Sequence, residues 1–134
     1  MDVPEFAGEE REAHRAILGR FWQTANARDW GAFAALLHPE LFYVVPQTRE
    51  RVRGRDGFVD FFQTWPGDWE AQVETLIADG RQGVTVIAFA SESEKATGIS
   101  FFEFADGLIH RITEYWPEPY EPPRRFSAFV ERSE

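Results

Sequence analysis

Residues 96–116 read ATGISFFEFADGLIHRITEYW. Two runs rich in β-branched and aromatic residues flank the turn signal Ala105-Asp106-Gly107, which predicts an antiparallel hairpin. Upstream, WEAQVETLIADG (69–80) and GVTVIAFAS (83–91) have the same character, and DGRQG (79–83) and ESEK (92–95) punctuate them. Four strands in hairpin order predict an antiparallel sheet. Neither GVTVIAFAS nor GISFFEF has a cleanly polar face, whereas a sheet with one wet face alternates sharply. Both faces are therefore expected to be covered. Helices can cover one. For the other the chain offers no further element, so the expected cover is a second copy, giving a homodimer through the convex sheet face with Ile87, Phe89 and Tyr115 between the copies.

Outward from the strands, the N-terminal part reads as helices. From Glu9, the residues Ala13, Ile17, Leu18, Phe21, Trp22 and Ala25 fall on one stripe, with residues 1–8 as a loose lead-in. ARDW (27–30) ends that helix and starts another, with Asp29 as N-cap, an apolar face of Trp30, Phe33, Ala34 and Leu37, and Pro39 as the stop. LFYVVPQT (41–48) and RERVRG (49–54) follow as short strands. A third helix then carries Phe58, Phe61, Phe62 and Trp65 at i, i+3, i+4, i+7. Helices first and strands after predict an α+β fold of one domain, residues 1–134. The prolines of residues 117–134 stop the last strand and send an extended tail over the surface, with Tyr120 and Phe126 as possible anchors on a partner or over a pocket.

Composition narrows the function classes. The chain has 134 residues, 43% hydrophobic and 16% aromatic, with thirteen Phe and five Trp, which excludes a disordered chain. A net charge of -9 argues against a nucleic-acid partner, which needs a basic footprint. The absence of cysteine excludes disulfides and thiolate chemistry. The acidic N-terminus lacks an apolar signal region and no run matches a membrane span, so a cytoplasmic protein without membrane partners is expected. His14, His38 and His110 share no ligand-like spacing, so neither metal nor cofactor is expected. His14 reads as solvated and His38 as a helix C-terminal residue.

The order of LLHPELFYVVP (36–46), VRGRDGFVDFF (52–62) and antiparallel strands ending in ITEYW (112–116) resembles the SnoaL-like and ketosteroid isomerase-like branch of the nuclear transport factor 2-like superfamily, over residues 9–120. The resemblance implies a cone-shaped α+β barrel, with helices packed on a curved, mainly antiparallel sheet that encloses a pocket. Ketosteroid isomerases use a tyrosine, a basic aspartate and a late-strand acid. The resemblance places these at Phe21, Val45 and Ser100, which cannot perform those roles. In limonene epoxide hydrolase-like members an Asp–Arg–Asp set activates water. Its last acid falls near Glu114, but its partners fall near Ala88 and Ala90. Both mechanisms are expected to be absent.

Pairing Ser100 with Ile112 and Ala88 with Ser100 places Ala88, Ala90, Gly98, Ser100, Phe102, Ile112, Glu114 and Trp116 on the helix-side face. A one-residue slip would reverse it. Tyr43 and Val45 join from the first strand, with Phe21, Phe62 and Trp65 from the helices. An apolar cavity with few polar groups is the usual form of a small-ligand site. Glu114 is the expected proton-transfer residue and Tyr43 the expected donor to a ligand oxygen. Against this, Glu114 can pair with Arg111 or Arg124 at the rim, Tyr43 can be a core aromatic, and Ser100 plain packing. Three functions remain open. One is cofactor-free acid–base chemistry of the isomerase, cyclase or hydratase type on an apolar, oxygen-bearing molecule. The others are non-catalytic binding of an apolar metabolite, and a protein-interaction module.

Overall fold

The structure, a computed structural model, describes residues 5–133. Helix α1 spans Glu5–Ala27, α2 Trp30–Ala34 and α3 Arg55–Gln63. The strands are β1 Leu37–Val45, β2 Glu50–Arg53, β3 Glu70–Ala78, β4 Gln82–Ala90, β5 Lys95–Ala105 and β6 Leu108–Tyr115. They form one sheet in the order β2-β1-β6-β5-β4-β3. All neighbours are antiparallel except β1 and β6, which run parallel. The α+β class and the mainly antiparallel sheet agree with the sequence reading.

Helix α1 begins at Glu5, so residues 5–8 are not a lead-in. The remainder of that expectation, residues 1–4, lies outside the described residues. Its buried stripe holds Leu18, Phe21, Trp22 and Ala25, but Ala13 is exposed and His14 is buried in its place. The His14 ring stacks on Phe104 at 3.8 Å and its Nδ1 lies 3.1 Å from the Asp79 carbonyl, so it is not the solvated residue expected. Asp29 caps α2 as expected, its carboxylate accepting from the Ala32 N–H at 3.2 Å. Pro39 does not stop that helix. The helix ends at Ala34, and Pro39 and His38 lie in β1, at an irregularity between Leu37 and Phe42. Helix α3 ends before Trp65, which projects from the following loop.

The hairpin joining β5 to β6 turns through Asp106 and Gly107 at φ 55° and 74°, the backbone of a tight hairpin turn in which aspartate and glycine are the best-suited pair. Helix α1 packs on β3 and β4, and α3 on β1. Phe21 lies at the centre of the core, 4.9 Å from Phe33, 5.7 Å from Phe62 and 5.3 Å from Phe102 between ring centroids. Each such burial contributes about 1.5–3 kcal/mol.

The β4 register corrects two expectations together. Ala90 pairs with Lys95 and Thr85 with Ser100, three residues from the expected pairing of Ala88 with Ser100. An odd slip reverses the strand's faces. Thr85, Ile87 and Phe89 therefore point to the helices and are buried, so Ile87 and Phe89 do not lie on an outward interface. Ala88 and Ala90 point away. The β5–β6 slip is even, Ser100 pairing with Glu114 and Phe102 with Ile112, so those residues keep the expected face. Outward on these strands are Phe101 and Tyr115, half exposed, with centroids 6.0 Å apart. Beyond β6 the described residues of the tail form no helix or strand. Tyr120 and Phe126 are exposed, and Arg132 closes a loop on Glu121 at 3.0 Å. No helix among the described residues is long and apolar enough to cross a membrane.

Candidate functional site

Glu114 is the centre of the site. It points to the helix side of β6, is 2% exposed, and is surrounded by donors from β1, β5 and the residue that follows β6. From β1, the Tyr43 hydroxyl donates to Oε1 at 2.6 Å. From β5, directly opposite, the Ser100 hydroxyl donates to Oε2 at 2.7 Å. The Trp116 indole N–H, just past the strand, donates to Oε1 at 3.1 Å. Trp116 is itself held by Gln47, whose amide oxygen accepts from the Trp116 backbone N–H at 2.5 Å while its amide N–H donates to the Trp116 carbonyl at 3.1 Å. A carboxylate has about four acceptor positions. Three are filled here by the chain.

Burial favours the neutral form of Glu114 and pushes its pKa above the ordinary carboxylate value, while the three hydrogen bonds favour the ionised form and offset part of that. Burial also raises the Tyr43 pKa, and the adjacent carboxylate adds to it, so the phenol stays protonated. Glu114 makes no ion pair among the described residues. Arg111 lies 3.4 Å from Glu103, and the Arg124 guanidinium sits 5.2 Å from the Phe126 ring. The alternative in which either arginine neutralises Glu114 is not what forms.

Above Glu114 is a narrow cavity of about 20 Å³, room for a water-sized group. Trp22 of α1 and Phe61 and Phe62 of α3 form one side. Trp65, Trp69, Phe89 and Trp116 complete it. Phe61, Trp65, Phe89 and Trp116 also line an outer chamber of about 210 Å³. Val45, Thr48 and Ala96 line that chamber, together with Glu50, Glu94 and Glu118.

The structure thus brings together Glu114, Tyr43, Ser100, Trp116, Phe62 and Trp65, and sets Val45 in the outer wall. Phe21, Phe102 and Ile112 line neither chamber. They are 0–1% exposed and form the packed core beneath the site. Ala88 lies on the other face of the sheet, so it makes no space beside Glu114. The Tyr43 hydroxyl proton is given to Glu114 rather than to the cavity. Sequence reading missed Trp22, Trp69, Phe89 and Thr85, the last accepting from the Trp22 indole N–H at 3.0 Å. Trp22 carried a signal as part of the α1 stripe, and Phe89 was misplaced by the β4 register. The sequence carried no comparable signal for Trp69, which precedes β3.

A family model described as the SnoaL-like domain matches residues 18–112. No curated protein matches the chain. Among solved structures, a candidate ketosteroid isomerase from Kribbella flavida is 40% identical, with 92% of each chain covered and a TM-score of 0.88. A nuclear transport factor 2-like protein of unknown function from Burkholderia xenovorans is 25% identical, covering 91% of this chain and 96% of its own, with a TM-score of 0.77. A limonene epoxide hydrolase-like epoxide hydrolase of Mycobacterium tuberculosis shares the fold at 22% identity, covering 85% of this chain and 86% of its own, with a TM-score of 0.65.

Proposed function

The chain belongs to the SnoaL-like domain family, and from that premise we propose that it is a small-molecule enzyme whose pocket performs cofactor-free acid–base chemistry of the isomerase, cyclase or hydratase type. One observation carries this reading. A buried carboxylate, Glu114, forms part of the wall of an aromatic cavity with three of its acceptor positions filled and, among the described residues, no cation beside it. Glu114 takes a proton from a substrate carbon or from water at its remaining acceptor position and returns it in a later step. Tyr43, Ser100 and Trp116 position the carboxylate and stabilise its ionised form. A raised pKa brings it toward neutrality, where a general base works best.

The ketosteroid isomerase mechanism that the resemblance implies finds none of its polar groups at the positions assigned to it. Phe21 is core, Val45 has no titratable group, and the Ser100 hydroxyl is turned to Glu114. The Asp–Arg–Asp route to epoxide hydrolysis lacks its partners, since Ala88 and Ala90 face away. The test is proton exchange in D2O across a panel of apolar carbonyl compounds, neutral and amine-bearing, followed by loss of the α-proton NMR signal. Exchange catalysed by the parent should fall about 10²–10⁴-fold in Glu114→Gln. A second reading, a metabolite binder, is favoured by Glu114 being, among the described residues, the sole titratable side chain on the inner wall. Ligand capture with no Glu114-dependent exchange anywhere in the panel would establish it in place of the enzyme.

A further inference from the structure

The donors around Glu114 restrict what the pocket can recognise. The Tyr43, Ser100 and Trp116 donors are all turned to Glu114, and the Trp22 indole N–H is given to Thr85. A ligand oxygen seeking a hydrogen bond finds these four groups engaged. What the inner wall offers is aromatic surface and one carboxylate. We propose that the ligand of this pocket carries a positive charge, a protonated amine or quaternary ammonium group on an apolar body, held in the outer chamber with the cation at the aromatic rings shared by the two chambers and directed toward Glu114. The inference rests on the pocket reading above and names its ligand class.

Three further observations agree. Aromatic faces attract cations through the ring quadrupole, most strongly when the cation is desolvated, and indoles do so best. The chain already uses one ring of this wall in that way, with the Arg28 guanidinium carbon 4.1 Å from the Trp69 ring centroid. That leaves Trp22, Trp65 and Trp116 as the indoles for an incoming cation. Second, the approach has one sign. Glu50, Glu94 and Glu118 stand on the outer chamber, and neither chamber is lined by a lysine, arginine or histidine among the described residues. Lys95 lies in the adjoining groove instead. With a net charge of -9, the field draws cations inward and repels anions. Third, a buried carboxylate without a counterion is costly unless paired. An arriving cation supplies that partner.

The test uses two probes of one shape, 3-hydroxyphenyltrimethylammonium and its neutral carbon isostere 3-tert-butylphenol. Binding to the full chain is followed by the indole N–H resonances in two-dimensional NMR. The neutral probe is the more hydrophobic, so a purely apolar pocket prefers it. The proposal expects the ammonium probe to bind at least about tenfold more tightly, as a desolvated cation–π contact allows, and to lose that preference in Glu114→Gln. A Glu50→Gln, Glu94→Gln, Glu118→Gln triple variant, altered only at exposed positions, should weaken the ammonium probe a few-fold at low salt and leave the phenol unchanged. Equal or tighter binding of the phenol at the same resonances overturns the cation inference and leaves the pocket reading standing. No shift with either probe overturns both.

Discussion

Tyr43→Phe isolates the hydrogen bond on which the site depends. The substitution removes one oxygen and leaves the ring packed, 4.9 Å from Phe58 and 5.5 Å from Phe61. No large cavity results, so the effect is electrostatic. The lost bond is a 2.6 Å donation to a carboxylate that is 2% exposed. Hydrogen bonds to charged groups contribute about 1.5–3 kcal/mol, and neutral ones about 1 kcal/mol. The pH dependence follows from linkage. Glu114 has a raised folded-state pKa, so between the unfolded value of 4.5 and the folded one the native state holds the extra proton and stability falls as pH rises. Tyr43 is one of the groups that lowers the folded pKa. Without it the pKa rises further, and the penalty above that window grows. Urea unfolding of both forms should therefore show a loss of about 1.5–3 kcal/mol at pH 8 that shrinks to about 1 kcal/mol at pH 4, with m unchanged. Equal stability at pH 8, or a difference that does not vary with pH, would refute the reasoning.

Four other outcomes are expected. Glu114→Gln keeps the shape and most of the partners, its amide oxygen accepting from Tyr43 and Trp116 and one N–H donating to the Ser100 hydroxyl oxygen. It should be at least as stable as the parent at pH 8 in denaturant unfolding, and a substantial loss there would point to an unrecognised ion pair. Gly98→Ala places a Cβ 3.0 Å from two Trp116 ring atoms and 3.1 Å from Ile87 Cγ1. Overpacking of about 1–3 kcal/mol and a moved Trp116 indole resonance are expected, and an unchanged spectrum would contradict the close packing. Turnover of a Δ5-3-ketosteroid should be absent or feeble, and ordinary turnover would show that other residues supply the missing phenol, base and acid. The outward face of Phe101 and Tyr115 should pair two copies, so sedimentation at micromolar concentration should give a dimer that Phe101→Glu disperses; a monomeric parent would mean that the face is wet.

The strands, two of the three helix starts and the face of β6 were legible because apolar spacing and turn chemistry report them directly. Glu114 and Ser100 kept their face although the predicted pairing was two residues off, since an even slip preserves side-chain direction. The β4 strand was off by three, and Ala88 exchanged roles with Ile87 and Phe89. What sequence could not supply there was the length of the loop between Ala90 and Lys95, closed by the Ser91 N–H donating to the Glu94 carbonyl at 2.8 Å. His14 and Ala13 lie side by side on a helix, and tertiary packing against Phe104 chose the histidine. The hydrogen bond from Tyr43 to Glu114 spans 71 residues, a juxtaposition that no local pattern encodes.

The parallel pairing of β1 with β6 has a consequence for how the chain is made. The neighbours β3–β4, β4–β5 and β5–β6 close locally, each across a short turn, whereas β1 must find a strand that begins more than sixty residues later. Closing so long a loop carries the largest entropic demand in the sheet, which places this step late in folding. Until it occurs, Glu114 lacks its phenol and its apolar surroundings, and remains an ordinary hydrated carboxylate. The buried, raised-pKa state of Glu114 is thus confined to chains that have completed the sheet. Burial of Glu114 would follow the slowest folding phase rather than collapse.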